Sequence, residues 1–274
     1  MEIKEKSGIT GVDCHAHIMA VDFPLAPEIH SRPVRDVSVQ EYLAVLGEHG
    51  LSHGVLTAPS FYGADNTLLL DALRSHPHHL RGTVIIDPKM DSASLERGLQ
   101  SMREIGVVGI RFNWTKKRSI PDIDSPQYQQ LLRLAKDLDL HIELFLEGHL
   151  QENVVPKILA SGATLVLDHF GHPDPDKGMH SVAFQNMLRG LADGKIWVKL
   201  SAPYRLGGAN IQPYIQKLIT TNPKQLVWAS DWPWLSHENQ FNYADCIDWV
   251  KSAIDDPQIW EDILIHNPKS LFHF

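Results

Sequence analysis

The stretch GVDCHAH at 11–17 decides how the rest of the chain is read. It starts like a buried strand and ends on two histidines, His15 and His17, flanking Ala16. A doubly wound open sheet ordinarily follows its first strand with a glycine-rich turn, and this stretch has none. A long alternation comes after it instead. Strand-like runs recur at 54–58, 80–87, 107–113, 141–147, 164–170, 195–201 and 226–232. Most are rich in Val, Ile and Leu with few polar interruptions, as strands covered on both faces are. Helical spacing fills the gaps. VQEYLAVLGEHG stops at Gly50, and ASLERGLQSMREIG repeats apolar residues at three and four before Gly106. SPQYQQLLRLAKDLDL opens on Ser125-Pro126, a cap followed by proline in the first turn. Eight such units without a Gly/Ser-rich linker predict a (β/α)8 TIM barrel, one α/β domain over 1–274.

Composition excludes several function classes. Hydrophobic residues at 43% and charged residues at 21% fit a soluble globular chain rather than a disordered or membrane one. MEIKEKSGIT carries alternating charges, which predicts neither a signal peptide nor a span, and no apolar run reaches the length of a membrane helix. Cys14 and Cys246 supply no disulfide framework, so the expected compartment is the cytoplasm. A formal net charge of −8 argues against nucleic acid as a partner.

In barrels of this type, function sits at the C-terminal ends of the strands. That rule sorts the histidines. His76, His78 and His79 precede the third strand, on the opposite rim, and His49 and His53 sit in a similar connection. His15, His17 and His169 end strands, with His172 just beyond. Alternation along a strand predicts that His15 and His17 share one face and Cys14 and Ala16 the other. Alone, H-x-H is a weak signal and reads better as a structural pair. Its weight comes from Arg111 in GIRFNW, His169 in LDHFGHPD and Asp231 in ASDWPW, each a polar residue where a buried strand runs out.

With these residues in place, the chain resembles the amidohydrolase superfamily from 11 to 274. LDHFGHPD, KLSAPYRL, ASDWPWLSHE and IHNPKSLFHF resemble the branch of 2-pyrone-4,6-dicarboxylate lactonases and related sugar lactonases. The resemblance implies a hydrolase that opens a small carboxylated lactone. Asp231 is the expected base, with His15, His17 and His169 donating hydrogen bonds to the developing oxyanion. Those four could also hold Zn²⁺. Two-metal members of the superfamily place a lysine or glutamate after strand four and a histidine after strand five. Here strand four ends with Arg111, which cannot ligate, and strand five with Glu147. The lactonases that the chain resembles work without a metal, and with Arg111 this gives the expectation of a site without a metal cofactor; the alternative is a metal-dependent hydrolase or decarboxylase. A catalytically silent anion-binding barrel is the third reading.

The expected partner is a small anionic substrate. Arg111 and Arg205 should face the mouth, where guanidinium groups fork onto carboxylates. Lys116, Lys117 and Arg118 follow Arg111 in a loop, and the resemblance places a carboxylate-binding cation near Lys117 or Arg118. It also assigns Ser60 and Tyr62 to the substrate. Where the branch has arginine after LDH-x-G, this chain has His172, which puts the identity of the lactone in question. Trp228, Trp232 and Trp234 read as packing, with Trp232 or Trp234 able to wall a planar ring.

Overall fold

The structure is a computed structural model that describes residues 8–117 and 119–274. Eight parallel strands form one sheet in sequential order: β1 Val12–Ala16, β2 His53–Thr57, β3 Leu80–Val84, β4 Val107–Asn113, β5 His141–Phe145, β6 Leu165–Leu167, β7 Ile196–Leu200 and β8 Leu226–Trp228. A helix comes after each of them: α1 Val39–Glu48, α2 Thr67–Ser75, α3 Ser92–Glu104, α4 Pro126–Asp137, α5 Val155–Ser161, α6 Val182–Ala192, α7 Gln212–Thr221 and α8 Tyr243–Lys251. This is the TIM barrel expected. Several strands end two or three residues earlier than their apolar runs, because the chain turns into the active-site loops there. Among the described residues no helix is long and apolar enough to cross a membrane.

The seam of the barrel lies between β1 and the segment that continues β8. The amide of Asp231 donates to His15 O (3.0 Å), and that of His17 to Trp232 O (2.8 Å). Three of the four expected catalytic residues thus sit on the bonds that close the sheet.

Alternation fails on β1. Its pairing with β2 shifts by one residue between Asp13 and Ala16, which is a β-bulge. Cys14 packs with Val12, Val55, Val108, Val166, Val227 and Ala229 in the apolar floor of the barrel, which Leu271 and Phe272 plug. The expectation that Cys14 shares a face with Ala16 is therefore wrong; only Ala16 joins the layer against the helices. The extra residue lets Cys14, His15 and His17 all serve the interior.

Above that floor lies a charged layer. Lys199 from β7, Glu143 and His141 from β5, Arg111 from β4 and Asp168 after β6 are all buried. Gly109 is small for a reason: a Cβ there would collide with the His141 ring.

Candidate active site

Asp231 is the centre of the mouth. Its backbone lies in the left-handed region (φ 58°), a conformation that non-glycine residues adopt at a cost and that the closed seam enforces. The two carboxylate oxygens have different surroundings. Oδ2 accepts from Tyr204 Oη (2.6 Å), Arg205 Nε (2.9 Å) and Arg205 Nη2 (2.8 Å). Oδ1 faces three imidazoles: His17 Nε2 at 3.5 Å, His15 Nε2 at 3.6 Å and His169 Nε2 at 3.9 Å. Those distances are too long for hydrogen bonds, and they frame a small polar space. Burial alone would raise the Asp231 pKa, but Arg205 and the neighbouring imidazoles hold it well below the usual carboxylate range.

Each histidine is held from behind. His17 Nδ1 lies 2.7 Å from Thr57 O, a carbonyl that can only accept, so Nδ1 carries a proton. His169 Nδ1 meets Ser201 Oγ at 2.8 Å, and Phe145 packs edge-on against its ring. His15 Nδ1 lies 3.0 Å from Lys199 Nζ. Burial, then the Lys199 charge, lower the His15 pKa to about 4, so its ring is neutral at physiological pH. Its Nε2 is buried and makes no hydrogen bond to the described residues.

Asp13 ties this arrangement together. Its Oδ1 accepts from the amides of His15 (3.2 Å) and Ser230 (2.9 Å), and its Oδ2 from Ser230 Oγ (2.5 Å) and Tyr243 Oη (2.8 Å). A β1 side chain thus does the work of a ladder bond beside the bulge, where the regular ladder is interrupted.

A cleft of about 220 Å³ opens onto His17, His169 and Asp231, with Arg111, Arg205, Ser60, His172, His30, Lys116 and His237 also in its lining; His15 is fully buried behind them and does not line it. The cleft adjoins a larger hollow of about 820 Å³ through His30, Ser60, Arg111, Asn113 and Lys116. Of the residues expected to bind substrate, Ser60, His172 and Arg205 reach the cleft. Arg111 lines its floor, but its guanidinium is committed within the protein: Nη1 to Ala58 O (2.9 Å), Nη2 to Asp168 Oδ2 (3.2 Å) and Nε facing Glu143 Oε1 (3.3 Å). Lys117 lines only the outer hollow. Tyr62 is a correction. Its hydroxyl donates to Ala20 O (2.7 Å) and accepts from Ala20 N (2.8 Å), so it pins the loop after β1 and lines neither hollow. Arg118 lies outside the described residues. Trp232 and Trp234 do not line the cleft; Trp232 stacks on Tyr42, and Trp234 Nε1 donates to Cys246 Sγ. Sequence reasoning passed over Asp13, Glu143, Asp168, Lys199, Tyr204 and His30.

The four polar groups of the mouth, the closed sheet and their order along the chain agree with one family. The amidohydrolase family model matches residues 12–274. The chain belongs to the amidohydrolases. Among relatives of this amidohydrolase, a 2-pyrone-4,6-dicarboxylate hydrolase of Comamonas testosteroni is 26% identical over 95% of this chain and 89% of its own. A 4-sulfomuconolactone hydrolase of Rhizobium radiobacter is also 26% identical, with the same coverage. A solved structure of a probable 2-pyrone-4,6-dicarboxylic acid hydrolase from Acinetobacter baumannii, with citric acid bound, is 29% identical. It superposes with a TM-score of 0.89, covering 97% of this chain and 100% of that one. More distant solved amidohydrolase-like folds hold zinc or manganese; at their low identity the likeness shows the fold alone.

Two groups in this amidohydrolase could hold a metal by spacing, His15–His17–Asp231 and His15–Asp168–His169. Ligands about 2.1 Å from zinc at tetrahedral angles stand roughly 3.4 Å apart, close to what is seen around Asp231 Oδ1. The local charge disagrees. A ligating imidazole ordinarily donates its other N–H to an oxygen; His15 Nδ1 has the Lys199 ammonium at 3.0 Å, closer than Asp168 Oδ1 at 3.3 Å. Asp231, moreover, already carries the Arg205 guanidinium. In spacing the residues fit a divalent metal; the ammonium beside His15 and the guanidinium on Asp231 add positive charge that opposes one.

Proposed function

We propose that the chain is a hydrolase that opens a small anionic lactone, with Asp231 as general base and no metal. The observation that carries this reading is the asymmetry of Asp231. One oxygen is held by Arg205 and Tyr204, while the other makes no hydrogen bond and faces three imidazoles across a space the size of a reacting group. The named activities of the lactone-hydrolysing relatives support the substrate class.

That layout supports hydrolysis by general-base catalysis. Water attacks the lactone carbonyl carbon, forming a C–O bond as Asp231 Oδ1 takes its proton. Charge gathers on the former carbonyl oxygen, where His15 and His169 stand as donors. The tetrahedral centre collapses, the ring C–O bond breaks, and Asp231 returns the proton to the leaving oxygen. The new carboxylic acid then ionises. A base held well below the usual carboxylate range is weak, which suits an activated lactone with a stable leaving group rather than an amide. His17, with its Nδ1 proton on Thr57 O, turns Nε2 towards the attacking water. The anionic arm of the substrate meets Arg205, Lys116, His30 and His172 at the rim. In a chain of net charge −8, such a rim draws anions inward.

The test is a panel of carboxylated and sulfonated lactones, with and without chelator, beside metal analysis of the purified protein. Turnover should survive chelation, and Asp231→Asn should lower kcat by about 10²–10⁴-fold while product still binds. Turnover that is lost to chelator and restored by Zn²⁺ refutes the metal-free mechanism. Carbon dioxide release from a carboxylated substrate would instead establish a decarboxylase.

A further inference from the structure

Lys199 takes no part in the proposed hydrolysis, yet it is a fully buried lysine less than one side chain from the catalytic histidines. Its Nζ lies 2.5 Å from Glu143 Oε2, 3.2 Å from Asp168 Oδ1 and 3.0 Å from His15 Nδ1. Burial opposes its charge, but Asp168 and Glu143 more than offset that and hold the group as an ammonium. An ammonium has three donors and no lone pair. His15 Nδ1 can meet it only as an acceptor, and a neutral imidazole has one ring proton to place. With Nδ1 accepting from the ammonium rather than donating to Asp168 Oδ1 at 3.3 Å, that proton sits on Nε2, the atom 3.6 Å from Asp231 Oδ1 with no hydrogen-bond partner among the described residues.

His17, 4.9 Å away between ring centroids, is held the other way round by Thr57 O. Two adjacent imidazoles in one site are thus backed at Nδ1 by opposite groups, one by an ammonium and one by a carbonyl. We propose that Lys199 is a positioning residue that locks His15 in the Nε2–H tautomer, making it an oxyanion donor and unfit as a metal ligand. This rests on the lactonase reading only for the word oxyanion; the tautomer lock and the exclusion of metal do not need it. Without the ammonium, Asp168 Oδ1, 3.3 Å from His15 Nδ1, becomes the nearest partner. The ring would then donate through Nδ1 and turn a lone pair towards His17 and Asp231, as a zinc ligand does.

The experiment uses the intact protein with histidine rings labelled in ¹⁵N. The His15 resonances are assigned by their loss in His15→Gln. At pH 7.5 the wild-type spectrum should show a protonated Nε2 and an unprotonated Nδ1 for His15. The reverse pattern overturns the proposal, with no substrate required. In Lys199→Met the pattern should invert, and bound zinc at a fixed free concentration should rise at least tenfold over wild type. On whichever lactone the wild type turns over, kcat should fall by about 10²-fold with little change in KM, as when one oxyanion donor is lost. An unchanged His15 pattern in a folded Lys199→Met protein also overturns it, as does equal zinc binding by the two proteins. If that variant fails to fold, the wild-type spectrum decides alone. If no lactone is hydrolysed, the functional reading fails while the spectrum still tests Lys199.

Discussion

Replacing Glu143 with glutamine removes one negative charge from the middle of the barrel and little else. In the wild type the charged layer balances, with Arg111 and Lys199 against Glu143 and Asp168 and with His15 neutral. The variant leaves two cations facing one carboxylate in a region shielded from water. At an effective dielectric of 20, the contacts at 2.5 Å and 3.3 Å correspond to about 7 and about 5 kcal/mol of attraction. Relief of the buried carboxylate's desolvation offsets much of that, and the net loss expected for breaking a buried pair is about 3–5 kcal/mol. For a chain of this size that is a fall in Tm of about 6–20 °C. The control is Asp71→Asn, which breaks an exposed pair of comparable length, Arg74 Nη1–Asp71 Oδ1 at 2.7 Å, and should cost about 0–1 kcal/mol. Urea unfolding followed by tryptophan fluorescence measures both. The deficit of Glu143→Gln should also shrink between pH 7 and 9.5. With one counter-charge gone, the folded-state pKa of Lys199 falls below its unfolded value, so the unfolded chain binds more protons and stability rises with pH. Equal midpoint shifts for the two variants, or a deficit that is flat with pH, would refute the reasoning.

Other consequences are quicker to check. The folded-state pKa of His15 is lowered to about 4 from the ordinary 6.5. Its contribution to stability is therefore complete above pH 6.5 and is lost as pH falls through about 4, worth roughly 3 kcal/mol. Urea midpoints at pH 7.5, 6 and 5 should decline, and less steeply in His15→Gln. Tyr204→Phe removes a 2.6 Å donor from Asp231 Oδ2, so the Asp231 pKa should rise and the acid limb of the kcat profile move to higher pH; an unmoved limb counts against Asp231 as the base. Lys116→Ala should raise KM for an anionic lactone about tenfold, and leave kcat within a factor of two, if the rim binds the anionic arm.

The barrel was legible because each strand is a short apolar run between helical repeats, and Asp231, His169 and the H-x-H pair stood out as polar residues where such runs end. The charged interior was harder to read. Glu143 in HIELF and Lys199 in IWVKL look like ordinary alternation with one face towards water. A sheet already judged covered on both sides has no such face, and that contradiction was the available signal for an internal ion pair. The internal partners of Arg111, supplied by β5 and by the turn after β6, were hidden for the same reason, although it does line the cleft as expected. Tyr62 bonds Ala20, 42 positions away, a pairing no local pattern displays. The bulge on β1 was hidden because every alternation argument assumes regular pairing.

That bulge bears on how such a site can change. Substitutions alter what the mouth presents, but they leave unaltered which residues the strand turns towards it. Only losing or gaining a residue around Cys14 resets that phase, and it would carry His15 away from the seam that holds Asp231. Chemistry at this mouth can therefore drift one side chain at a time while its frame stays fixed. Directed evolution confined to point changes explores new substrates here without reaching a differently phased active site, whereas a library of single-residue deletions across 12–16 would.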